Sequence, residues 1–230
     1  MVYSTRAQGF LNGQFPVHTQ KHVDSQPRPL CDPFAQKTLD DFDWTFNPAI
    51  KRQQMYDLAS GQFIRQRRDV LMIGPPGLGK SHFVQAIGYH LIKAGFLVVY
   101  CSIFDLVREL QADQSPAELD RTLARFLKPD LLQIDDMGLK ILPPKAGEVL
   151  LEIILRRYEN RSTFMTSNRP IEEWGKLLND VPAATAILDR FLHHAEIIQM
   201  KGRSYRLRHA GRTSDDDRGN NSGLSADKKK

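Results

Sequence analysis

The apolar and polar positions divide the chain into three stretches. From residue 1 to about 36, Gln, His, Pro and Ser predominate and neither a helical nor a strand period is sustained, which predicts a disordered or extended segment. From Thr38 the texture changes. Leu39, Phe42, Trp44 and Phe46 lead to Asn47-Pro48, and Ile50, Met55, Leu58, Phe63 and Ile64 then recur at roughly helical spacing. This predicts a helix starting at Pro48 and capped by Asn47. Short β-type runs follow at 69–73, 96–100, 131–134, 162–166 and 195–199, alternating with amphipathic stretches. Between the first two runs, Phe83, Val84, Ile87, Leu91 and Ile92 fall on one helical face. Two helices fit between the second and third: Phe104, Val107 and Leu110 mark one, and Leu119, Leu123 and Phe126 the other, with Ser115-Pro116 between them. That is one helix more than a minimal crossover needs. The βαβ alternation predicts an α/β domain over 37–209, built on a mainly parallel five-stranded sheet flanked by helices. The stretch 210–230 has almost no apolar content and reads as a disordered polar tail.

Composition changes this picture little. A chain of 230 residues with 41% hydrophobic content suits one domain plus tails. No apolar run approaches the ~20 residues needed to cross a bilayer, and the N-terminus lacks the pattern of a secretory signal, so a cytoplasmic location and no membrane partner are expected. Cys31 and Cys101 have no motif partner and read as thiols without a visible function. The formal net charge of +5 is carried by residues 48–210. Such an excess is compatible with binding phosphates or nucleic acid, although many proteins with this balance bind neither.

The candidate chemistry begins at Gly74-Pro75-Pro76-Gly77-Leu78-Gly79-Lys80-Ser81, which matches G-x-x-x-x-G-K-[ST] directly after a predicted strand and at the start of a predicted helix. In such a P-loop the backbone N–H groups converge on the β-phosphate, the helix N-terminus adds favourable partial charge, Lys80 reaches the β- and γ-phosphates, and the Ser81 hydroxyl ligates Mg²⁺. The nucleotide-binding stretch is expected to run from Gly74 through His82. The 131–134 run ends in Asp135-Asp136, on the same edge of a parallel sheet as the loop. Asp135 is expected to hold Mg²⁺, directly or through water, and Asp136 to polarise the attacking water. Without the upstream loop this pair would read as a turn. Gln133 interrupts the apolar strand and needs a hydrogen-bond partner if buried. The fourth run leads into Ser167-Asn168-Arg169-Pro170; Asn168 either orients the lytic water or senses the γ-phosphate, or it is a turn residue before proline.

The strings LMIGPPGLGKSH, LLQIDDMG, TFMTSNRPIEEW and AILDRFLHHAEIIQMKGRSYRLR, with the lead-in KTLDDFDWTFNPAIKRQQMYDLASGQFI, resemble the IstB family of insertion-sequence transposition helper ATPases, relatives of DnaC-type helicase loaders. The likeness runs from about Lys37 to Arg208. It implies a P-loop NTPase of AAA+ type, of the initiator and loader clade marked by the extra helix. It also implies ATP and Mg²⁺ as cofactors, homo-oligomers on duplex DNA, and a transposase of the same element as partner. Arg190 would be an arginine finger reaching a neighbouring subunit's ATP, although spacing alone reads it as a surface arginine on an amphipathic helix. Family members begin with a helical domain, so this chain is expected to be N-terminally truncated, and they lack a developed C-terminal lid, which leaves a second sensor arginine unassigned.

Phosphate contacts with DNA by Arg108, Arg121, Arg125 and Lys128, or by Lys201, Arg203, Arg206 and Arg208, fit the resemblance, and solvated helix faces explain the same charges almost as well. Tyr205 either stacks on a base or anchors the tail. The reading is therefore a DNA-stimulated ATPase with Lys80, Asp136, Asn168 and Arg190 in catalysis, assisting transposition. The alternatives are a loader acting on a replicative helicase, and a catalytically weak nucleotide-binding module.

Overall fold

The computed structural model describes residues 37–112 and 115–207 and the backbone of residues 2–3. Five parallel strands form the sheet: β2 (Asp69–Ile73), β3 (Val98–Ser102), β4 (Leu131–Met137), β5 (Ser162–Ser167) and β6 (Ala195–Gln199). A two-residue β1 (Val2–Tyr3) joins β3 antiparallel, giving the order β1-β3-β4-β5-β2-β6. These two residues lie within the stretch read as disordered or extended, and they are extended. The remainder of that stretch, the polar tail and Cys31 fall outside the described residues.

Strand alternation builds two cores, one on each face of the sheet, as covering both faces of a parallel sheet requires. Leu71, Val99, Leu132, Ile134 and Met165 point to one cluster, whereas Val70, Met72, Val98, Leu131 and Phe164 point to the other. The first is covered by α4 (Ile103–Leu110), α5 (Pro116–Leu127), α6 (Ala146–Arg157), α7 (Trp174–Leu178) and α8 (Val181–His193). The second lies under α1 (Arg52–Ala59), α2 (Gln62–Arg65) and α3 (Lys80–Lys93). The helix starts follow local chemistry. Ser102 accepts from the Asp105 N–H at 3.1 Å, Pro116 opens α5 while Glu118 returns to the Ser115 N–H at 2.9 Å, and Asp180 accepts from the Ala183 N–H at 2.9 Å.

Three expectations shift. The first helix starts at Arg52, not Pro48, and 47–50 is a turn closed by the Ile50 N–H on the Asn47 carbonyl at 3.0 Å. Asn47 does not cap it. Its amide bonds the backbone of Arg203 in both directions, each at 2.9 Å. The second strand starts at Val98 because Phe96 belongs to the helix-ending turn after Gly95, its N–H reaching back to the Leu91 carbonyl at 3.0 Å. The third strand runs on through both aspartates to Met137.

Candidate functional site

The P-loop leaves the end of β2 and turns into α3. Gly77 and Gly79 have φ of 85° and 93°, in the left-handed region that side chains disfavour, and a Cβ on Gly77 would run into the Ser204 hydroxyl. Leu78 turns its side chain into the core, so only its main chain is left for the cavity. Lys80 is 6% exposed, and its ammonium donates to the Gly74 and Pro75 carbonyls at 2.6 and 2.8 Å. Burial pushes its pKa down to about 8, against the opposing pull of Asp135 and Asp136.

Asp135 and Asp136 follow each other at a fault in the sheet. The β4–β5 register shifts between Ile134 and Met137, and Asp136 takes φ 69°. A bulge of this kind re-aims side chains, here two successive carboxylates at a strand end. Asp135 is buried and held from three sides: Tyr100 donates to Oδ2 at 2.8 Å, Thr166 donates to Oδ1, and the Asp136 N–H donates to Oδ1 at 2.9 Å. Burial, followed by Asp135, raises the Tyr100 hydroxyl well above its ordinary range and keeps it a donor. Asp136 is half-buried, and burial followed by Asp135 raises its proton affinity. Gln133 is fully buried and donates to the Val84 carbonyl at 2.8 Å, which gives its amide nitrogen a partner and leaves its buried Oε1 without one.

These groups meet in a cavity of about 330 Å³ lined by Pro76 through His82, Asp135, Asp136, Thr166 and Asn168. Asn168 is positioned by its N–H on the Met137 carbonyl at 2.8 Å. Gly74 and Pro75 stand behind the wall and hold the Lys80 ammonium. His82 lines the cavity, but its Nε2 lies 2.8 Å from the Thr38 carbonyl, and burial lowers its pKa. Arg190 is elsewhere. It is exposed on α8, pairs with Asp189 at 3.1 Å and lies over Tyr158 at 5.7 Å, one turn before the helix end that feeds the start of β6.

Sequence reasoning missed the wall contributed by the two ends of the domain. Phe42, Phe46 and Asn47 line one side, with Tyr205 and Arg206 beside them. The segment after β6 is strapped along the P-loop: the Met200 N–H bonds the Ile73 carbonyl at 2.7 Å and the Tyr205 N–H bonds the Gly77 carbonyl at 2.9 Å. The Tyr205 ring meets Phe46 edge-on at 5.2 Å, which fits the anchoring reading. Arg206, read only as one of several basic residues, reaches the cavity, where its charge lowers the pKa of both Asp136 and Lys80. Its only sequence signal was its place in a basic cluster after the last strand.

The family model described as IstB-like ATP binding protein matches residues 9–213. The chain belongs to the IstB-like ATP-binding family. It is 39% identical, over 75% of its length and 69% of the relative's, to a protein assigned as the ATP-binding protein of insertion sequence IS5376 in Geobacillus stearothermophilus. A counterpart from insertion sequence IS21 in Pseudomonas aeruginosa is 36% identical over 82% of this chain and 71% of its own. Among solved structures, DnaI matches with a TM-score of 0.58 at 24% identity, covering 74% of this chain and 90% of that one. The DnaC helicase loader matches with 0.57 at 19%, covering 73% and 98%. The fold is that of P-loop AAA+ initiator and loader proteins. No helix among the described residues is long and apolar enough to cross a membrane.

Of the basic residues considered for DNA, Arg108 pairs with Asp105 and Arg125 pairs with Glu109 while packing on Phe126 at 4.6 Å. Arg121, Lys128 and Lys201 are exposed, the Arg203 guanidinium lies over Phe46 at 5.3 Å, and Arg208 is outside the described residues.

Proposed function

We propose that this protein binds ATP with Mg²⁺ in the 330 Å³ cavity, hydrolyses it, and uses the cycle to assist DNA transposition, assembling on duplex DNA and engaging a transposase. The observation that carries this reading is the convergence of the P-loop, a triply hydrogen-bonded Asp135 and Asn168 on one cavity in a chain of the IstB-like ATP-binding family.

The donor set suits a hydrated Mg²⁺, which prefers oxygen ligands and keeps several waters. The Ser81 hydroxyl and Asp135 would hold it, and its charge would offset that of the β- and γ-phosphate oxygens. The loop amides and Lys80 bind the phosphates, and the triphosphate keeps the Lys80 ammonium charged despite its burial. Asp136, whose proton affinity is raised, accepts a proton from the attacking water, while Asn168 orients that water. Arg206 neutralises phosphate charge from the same chain. Arg190 does so from a neighbouring copy, a contribution worth about 10³ to 10⁵ in rate. Leu139, in the cavity lining, and Ile141, two residues on, are 54% and 69% exposed and offer apolar surface for that neighbour. Phosphate contacts by Arg121, Lys128 and Lys201 would hold DNA with weak sequence preference.

Phosphate release with and without duplex DNA tests the reading. Release by the wild type, stimulated by DNA and abolished by Lys80→Ala, is expected. Well-folded protein without calorimetric affinity for ATP and Mg²⁺ would end it. A helicase loader shares the fold, but identities of 39% and 36% to insertion-sequence proteins favour transposition. Co-purification of a transposase supports that choice, and co-purification of a hexameric helicase overturns it.

A further inference from the structure

Away from the nucleotide cavity, Glu159, His193 and His194 each offer a metal-ligand atom, and the three atoms lie within 4.8 Å of one another. The fold brings them together at one edge. Tyr158 ends α6, and Glu159 follows at φ 57°, turning the chain toward the start of β5. His193 closes α8 and His194 follows it, just before β6. The Tyr158 ring stacks against both imidazoles, with centroids 6.1 and 5.9 Å away, and the imidazoles are 4.1 Å apart. The Tyr158 hydroxyl lies 2.7 Å from His193 Nδ1, and a Glu159 carboxylate oxygen lies 3.3 Å from His194 Nε2.

We propose that Glu159, His193 and His194 form a binding site for a divalent transition-metal ion of the zinc type. Two imidazoles and one carboxylate are donors for Zn²⁺, Co²⁺ or Ni²⁺, whereas Mg²⁺ and Ca²⁺ prefer oxygen alone. Tetrahedral bonds of about 2.0–2.1 Å set the donor atoms roughly 3.3 Å apart. The His194–Glu159 pair already has that separation, and the donor atom of the exposed His193 lies within 4.8 Å of both. The hydroxyl on His193 Nδ1 is the kind of outer partner that fixes an imidazole for ligation through its other nitrogen. Three protein ligands leave a fourth position for water or for a group from another molecule. Arg190 lies one turn back on α8, over the same Tyr158 ring, so the ion would tie the α6–β5 turn to the helix that carries it. This last consequence rests on the role proposed for Arg190; the binding site does not.

The test uses the full chain, stripped with chelator and free of nucleotide, titrated with Co²⁺ and followed by its visible absorption and by calorimetry. One saturable equivalent with a tetrahedral-type spectrum, displaced by Zn²⁺, is expected. His193→Ala and His194→Ala should each weaken it at least about tenfold. His194→Gln, which keeps a polar side chain at this exposed position, should do the same with an unchanged metal-free melting temperature. Lys80→Ala should leave Co²⁺ binding intact even if ATP binding is lost, which separates this site from the nucleotide reading. Absence of saturable binding at millimolar Co²⁺, or undiminished binding by the His193→Ala/His194→Ala double variant, overturns the proposal.

Discussion

Replacing Asn47 by Ala should weaken ATP binding without touching the P-loop. Asn47 is 4% exposed, and its amide makes two hydrogen bonds to the Arg203 backbone at 2.9 Å, holding the strap that delivers Tyr205 and Arg206 to the cavity. At about 0.5–1.5 kcal/mol net for each bond, the pair favours the docked strap by roughly 1–3 kcal/mol. That corresponds to about 5- to 150-fold in the docking equilibrium. The Tyr205 N–H to Gly77 and the Phe46–Tyr205 contact remain, so the strap would be loosened rather than lost. Titration with a fluorescent ATP analogue reads the effect. The loss caused by Asn47→Ala should shrink in an Arg206→Ala background, because Asn47 acts in large part through the strap that carries Arg206. An affinity within about twofold of wild type, or losses that multiply in the double variant, would refute this reasoning.

Lys80 has a pKa of about 8 against an ordinary 10.5, and bound phosphate should restore the charged form. Nucleotide binding between those pH values should therefore take up protons, detected by calorimetry in buffers of differing ionisation heat; no uptake would refute it. Asp136→Asn should keep ATP affinity and melting temperature, since Asn tolerates the left-handed backbone at φ 69°, and lower phosphate release about 10²- to 10⁴-fold. Arg190→Ala should bind nucleotide normally but lose assembly-dependent turnover, and mixing it with Asp136→Asn should restore part of the activity; no recovery at any ratio counts against action in trans. Asp69, 7% exposed, is raised by burial to about 7 from 3.8, so its contribution to stability is full below pH 3.8 and is lost as pH rises through about 7. Asp69→Asn keeps an acceptor for the Thr163 N–H and should gain in melting temperature over wild type as pH climbs from 4 to 8.

Residues whose places follow from close neighbours in the chain were legible. The P-loop is a run of eight residues between a strand and a helix, and the five β-type runs were short and apolar enough to place the sheet. What stayed hidden depended on partners far apart in sequence. Tyr100 and Thr166 hold Asp135 from the two strands flanking β4, and nothing around either residue announces that neighbour. Asn47 looked like a helix cap because Asn before Pro usually starts something local. Its side chain instead bonds a backbone 156 residues away. Arg206 could be weighed only as charge until the strap showed where that charge goes. The bulge at Asp135-Asp136 was invisible for a related reason: it is a property of pairing with β5, not of β4 alone.

The sheet gives the two arginines different reach. Arg206 follows the far end of β6 and folds back onto the loop that follows β2, whereas Arg190 precedes the near end of β6. Five parallel residues at about 3.3 Å each put roughly 16 Å of strand between those edges. A guanidinium held over Tyr158 at one edge does not serve phosphates gathered at the other. If Arg190 acts on a triphosphate, that triphosphate is held by another copy, and the copy bringing Arg190 would have to approach that copy's own cavity, where Leu139 is exposed in the lining.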